Sequence, residues 1–140
     1  MRTLITALIG LALSSPALAK DSEAETCLRN KVWDGYATGW GIRTMTTTEI
    51  NAGKTKNYLV TLYRGNEYRI VSCADPSVSN LDVLIYDAQG NLLDRDTTTD
   101  REPSIVFTPK NTGAYYVVLY MREVKERKRA AEVSMAVVYR

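Results

Sequence analysis

Two periodicities divide the chain. In residues 22–38 (SEAETCLRNKVWDGYAT), Ala24, Cys27, Leu28, Val32 and Tyr36 recur at three- and four-residue steps, which predicts one helix with a single apolar stripe. Ser22 stands where an N-cap belongs, and Glu23 and Glu25 suit the positive end of a helix. Gly35, Gly39 and Gly41 close the run. Trp33 and Trp40 lie close by and fit either packing of the helix on a sheet or a ligand platform.

After Gly41 the period falls to two. Residues 43–50, 57–64, 67–73, 81–87, 91–96, 104–108, 114–121 and 131–139 form eight β-prone runs separated by turn residues. Such spacing predicts a mostly β fold, a single antiparallel β-sandwich of jelly-roll type, and not alternating β-α units. Gly65-Asn66 has the chemistry of a two-residue hairpin turn, and Ala88-Gln89-Gly90 predicts a second hairpin. Three sets alternate as inward faces: Tyr58, Val60 and Leu62; Leu81, Val83 and Ile85; Tyr115, Val117 and Leu119. Asn111-Thr112-Gly113-Ala114-Tyr115 resembles a tyrosine corner, in which the phenol bonds back to loop backbone. The run 122–129 (REVKERKR) interleaves Glu123 and Glu126 with its basic residues, and predicts a solvated hairpin tip or, as the alternative, a patch for an anionic polymer or membrane.

The amino terminus has a pattern of its own. Arg2, the apolar stretch Leu4 to Leu13 and the small residues of Ala17-Leu18-Ala19 predict a secretory signal cut after Ala19. Ten apolar residues are too few to span a bilayer, which needs roughly 20. The product is then expected in the periplasm or outside the cell. Residues 1–19 form the signal, 20–42 the helix and its connector, and 43–140 the sandwich. Export makes a bridge between Cys27 and Cys73, the only cysteines, the favoured pairing. Two free buried thiols or an intermolecular bridge are the alternatives. A Cys27–Cys73 bridge would staple the helix to the sandwich.

Charge and composition mainly exclude. Cleavage removes only Arg2, leaving 17 basic against 16 acidic residues, so the strongly basic face of a nucleic-acid binder is not expected. The sequence contains no histidine, which removes Ser-His-Asp and Cys-His catalysis and histidine zinc sites together.

Several blocks share the order and spacing of a known family. They are Tyr58 to Leu62 with Gly65 to Ile70, Asn80 to Asp87 with Gly90 to Leu93, and Ile105 to Pro109 followed by Thr112 to Leu119. Across residues 57–139 the chain resembles the bacterial pre-peptidase C-terminal domain, a β-sandwich appended to secreted peptidases and other exported proteins. The resemblance implies an accessory, non-catalytic module. The chain departs from the family in its N-terminal helix and its cysteine pair, and it carries no peptidase domain.

Two clusters are candidate sites. Tyr116, Tyr120 and Arg122 face away from Tyr115, Val117 and Leu119, and form the candidate binding strip, either free or covered by the helix or a loop. Asp82, Asp87, Asn91, Asp94 and Asp96, with Asp100 beyond, are hard oxygen donors of the kind calcium takes. A solvated hairpin accounts for them equally. The leading expectation is a monomeric exported module that binds a glycan, an envelope polymer or another exported protein, with no cofactor and no membrane span. The alternatives are an envelope structural or assembly protein pairing through an edge strand, and a small calcium-dependent hydrolase.

Overall fold

The computed structural model describes residues 15–125 and 129–140. Most of the predicted signal and the centre of the charged run lie outside the described residues. One helix, α1 (Glu23–Ala37), precedes eight strands: β1 (Gly41–Asn51), β2 (Thr55–Leu62), β3 (Tyr68–Ala74), β4 (Val78–Asp87), β5 (Leu92–Asp96), β6 (Ser104–Phe107), β7 (Gly113–Val124) and β8 (Ala130–Tyr139). They form two four-stranded antiparallel sheets, ordered β1-β8-β3-β6 and β2-β7-β4-β5. This is the strand order of a jelly roll. Only β4 and β5 are consecutive strands within one sheet; every other connection crosses from one sheet to the other.

The Gly65-Asn66 expectation is therefore corrected. Gly65 does take φ +97°, but β2 pairs with β7 while β3 pairs with β8 and β6. The turn changes sheets instead of closing a hairpin. Hydrogen bonds from Tyr63 N–H (2.9 Å) and the Asn66 amide (3.3 Å) to the buried Tyr68 hydroxyl stand in for a cross-strand ladder. The charged run is likewise no hairpin tip, because β7 and β8 belong to different sheets. Its described ends carry chain from one sheet to the other.

The β4–β5 hairpin forms as expected. Asp87 Oδ1 accepts from the backbone N–H of Gln89 (3.0 Å) and of Asn91 (2.8 Å). Gly90 supplies the positive φ (+84°) that the tight return requires.

Period-2 alternation places the main core between the sheets. Leu62, Ile70, Leu81, Val83, Ile85, Val117 and Leu119 have no exposed surface. Tyr115 closes one end, its hydroxyl donating to the Asn111 carbonyl at 2.6 Å, which is the tyrosine corner the sequence suggested.

A second core lies on the outer face of the β1-β8-β3-β6 sheet, where Leu28 and Val32 of α1 meet Val71, Cys73, Ala136 and Val138. The Ser22 hydroxyl accepts from Glu25 N–H, and the Glu25 carboxylate accepts from Ser22 N–H, a complete capping box. The Cys27–Cys73 disulfide fastens the helix to β3. Trp40 is buried at the helix exit, with the guanidiniums of Arg69 (4.5 Å) and Arg140 (4.6 Å) over its ring. Tyr36 departs from the expected stripe and is 63 % exposed. Each i+4 step overshoots a full turn by about 40°, so by the third step from Ala24 the stripe has rotated off the sheet.

Candidate functional site: the bare face of the sandwich

The helix covers the outer face of one sheet. The outer face of the other, β2-β7-β4-β5, has no element packed on it among the described residues. The register there sets Leu59 opposite Tyr116, Tyr116 opposite Tyr86, and Tyr86 opposite Leu92. One row of large apolar side chains thus crosses all four strands. Leu59 is 64 % exposed, Leu92 43 % and Tyr116 39 %. A parallel row, Asn57–Val118–Leu84–Arg95, lies beside it. Cross-strand neighbours on one face stand about 5 Å apart, so these side chains make a continuous surface.

Tyr120 and Arg122 do different work. Asp82 faces Tyr120 across β4–β7 and is fully buried, and the Arg122 Nε–H donates to its Oδ2. The guanidinium also lies 4.9 Å from the Tyr120 ring centroid. The hydrogen bond to Asp82 raises the Arg122 pKa above its ordinary value. Arg122 thus neutralises a buried carboxylate whose other oxygen, Oδ1, has no hydrogen-bond partner, and it shields one face of Tyr120. An uncompensated buried charge is costly, so Arg122→Ala is expected to lower the melting temperature, and adding Asp82→Asn to that variant should restore part of the loss. Equal melting temperatures for wild type and Arg122→Ala would show that the pair has no such role.

The remaining acidic residues serve the backbone. The Asn91 side-chain amide and the Asn91 N–H hold the Asp87 carboxyl below its ordinary pKa, helped by the N–H groups of Gln89 and Gly90. For Asp96, burial pushes the pKa up, but hydrogen bonds from Ser104 and Thr98 outweigh it and the net shift is downward. Asp94 Oδ1 accepts from Arg95 N–H, and Asp100 Oδ1 from Glu102 N–H. Among the described residues no three Asp or Glu side chains bring their oxygens within 4.8 Å of one another. Asp82, Asp87, Asp94 and Asp96 are therefore not gathered around one point, and Asn91 is bound to Asp87. The one grouping of potential metal ligands among the described residues is Cys27, Cys73 and Glu102. Its two sulfurs are bonded to each other, and Glu102 Oε1 lies 2.7 Å from Cys27 Sγ.

Two of the depressions lined by described residues stand out. One, of about 550 Å³, lies at the tyrosine-corner end between the β4–β5 turn and residues 107–115. The other, about 470 Å³, is an apolar hollow between α1 and β1 lined by Trp33, Tyr36, Ile42 and Met45. Sequence reading missed this hollow because it joins two elements whose outward residues are unremarkable separately.

The arrangement defines a jelly-roll β-sandwich with one face capped by a stapled helix and one face open. No family model and no curated protein matches the sequence. Among solved structures the fold is similar to that of Aeromonas hydrophila PliG, a periplasmic lysozyme inhibitor of g-type lysozyme, with a TM-score of 0.51 and 14 % identity over 69 % of this chain and 85 % of that one. No described helix is long and apolar enough to cross a membrane.

Proposed function

We propose that the protein is an exported, non-catalytic binding protein that engages another exported protein through the open β2-β7-β4-β5 face, and that a g-type lysozyme is the first partner to test. The observation that carries this reading is the Leu59–Tyr116–Tyr86–Leu92 row on an otherwise uncovered face. Contiguous exposed apolar surface is uncommon on soluble monomers and marks sites of interaction. The similarity to a periplasmic lysozyme inhibitor supports a protein partner. The disulfide supports an oxidising compartment, and Leu18, at 98 % exposure, belongs to neither core, as suits a segment removed with the signal.

A protein partner fits this face better than a glycan. Sugar rings stack on exposed aromatic faces, whereas here Tyr120 is already shielded by Arg122 and both ends of the row are leucines. Aliphatic and tyrosine side chains together suit the core of a protein interface.

The test is a binding titration of mature protein against a purified g-type lysozyme, alongside the lysozyme's wall-degrading activity. Tight binding with loss of lysozyme activity is expected. Leu59→Asp and Tyr116→Ala should each weaken binding by about tenfold or more, as truncating a central interface residue does, without a change in melting temperature. Full lysozyme activity at saturating protein would overturn the lysozyme reading. Binding unaffected by both substitutions would overturn the assigned face.

A further inference from the structure

Sheet edges expose unpaired backbone donors and acceptors, and proteins normally blunt them with charge, proline or short length. Three of the four edges here are blunted. Strand β6 has four residues, β5 has five with Asp94, Arg95 and Asp96 among them, and β2 carries Lys56. Strand β1 is the longest edge: it runs for 11 residues (GIRTMTTTEIN) with no lysine and no proline, its only charges being Arg43 at the bulge and Glu49. Beside it lies the apolar hollow, in which Trp33 (62 % exposed), Tyr36, Ile42 (48 %) and Met45 (44 %) all face solvent.

We propose that this edge is the interface of a homodimer, in which β1 pairs antiparallel with β1 of a second copy about a two-fold axis at Thr46. The register follows from length, since pairing Gly41–Asn51 with itself end to end centres on residue 46. That register sets Thr44 opposite Thr48 of the partner subunit, and Arg43 opposite Glu49 of the partner subunit, each pair occurring twice.

The charges support the same register independently. Within one chain Glu49 stands directly opposite Glu132 across β1–β8, an arrangement that is destabilising for like charges. Glu132 Oε1 is buried without a hydrogen-bond partner, and among the described residues neither glutamate has an ion pair. Arg43 is the extra residue of the bulge between Ile42 and Thr44, outside the β8 ladder, and it too lacks an ion pair among the described residues. The two-fold delivers the missing cation to the glutamate pair.

The seam also accounts for the hollow. Ile42 and Met45 pair with Val138 and Ala136 of the helix-side core, so they point to the face that carries α1. In the dimer the two β1-β8-β3-β6 sheets join into one of eight strands with both helices on the same side, and the two hollows meet over the axis. The open faces of the proposed function lie on the other sheets and remain free, so this dimer stands or falls apart from that reading.

Sedimentation velocity on the mature protein over a concentration series tests the proposal. A dimer is expected. Arg43→Glu should weaken dimerisation by about tenfold or more, because two attractive cross-strand pairs become repulsive. The double variant Arg43→Glu/Glu49→Arg should restore it, since the exchange preserves complementarity under the two-fold. Circular dichroism establishes that each variant is folded. A wild type that stays monomeric into the high micromolar range would overturn the proposal. So would a dimer indifferent to Arg43→Glu, or one that the charge exchange fails to restore.

Discussion

Replacing both Cys27 and Cys73 by serine is expected to cost about 4 kcal/mol of stability, the chain-entropy value for a cross-link of this span, within a usual range of about 2–5 kcal/mol. The bridge joins residues 46 apart in sequence, and it ties α1 to β3 independently of the short chain connection from α1 to β1. The loss should be uneven. The core between the sheets does not involve the helix, so the jelly roll should persist while α1 loosens. Denaturant unfolding gives the total, and amide hydrogen exchange gives its distribution. Faster exchange at residues 23–37 with slow exchange retained in β7 is the expected pattern. A uniform loss of protection across the strands would show that the helix is integral to the sandwich, and an unchanged unfolding midpoint would show that the bridge contributes nothing.

The second large effect tests the inside–outside assignment of the sheets. Leu119 has no exposed surface and sits on β7 between the sheets, so Leu119→Ala should cost about 2–5 kcal/mol through lost burial and the cavity left behind. Leu59 lies on the neighbouring strand and is 64 % exposed, so Leu59→Ala should alter stability by no more than about 0.5 kcal/mol. Thermal or denaturant melts of the two variants decide it. Comparable losses would mean that something covers the open face.

The strands, the helix and the disulfide were legible because each rests on a local rule. Period-2 alternation put Val83, Val117 and Leu119 inward, Ser22 signalled the cap, and two cysteines in a chain expected to be exported left one intramolecular pairing. Sheet membership was not legible. Gly65-Asn66 turns the chain sharply whether the next strand joins the same sheet or the facing one, and only the non-local partners of β2 and β3 decide between them. The candidate strip was half legible. Alternation identified Tyr116 and Tyr120 as outward, but not that α1 would dock on the other sheet, nor that Leu59, Tyr86 and Leu92 would extend the row. Those neighbours come from register, which a single sequence does not encode locally. The acidic residues of the β4–β5 region read equally as a calcium set or as a solvated hairpin, because carboxylates that cap turns and carboxylates that bind metal have the same composition. Their distinction is geometric, and Asp87, Asp96 and Asp100 are engaged with backbone N–H groups.

The account centres on the open face as a protein-binding surface, and hydroxyl-radical footprinting of the mature protein with and without saturating g-type lysozyme tests it most directly. Protection of Leu59, Tyr86, Leu92 and Tyr116 is predicted, with labelling of Tyr139, on the other sheet, unchanged. Equal labelling of the four in both samples, or protection confined to the helix side, would contradict it.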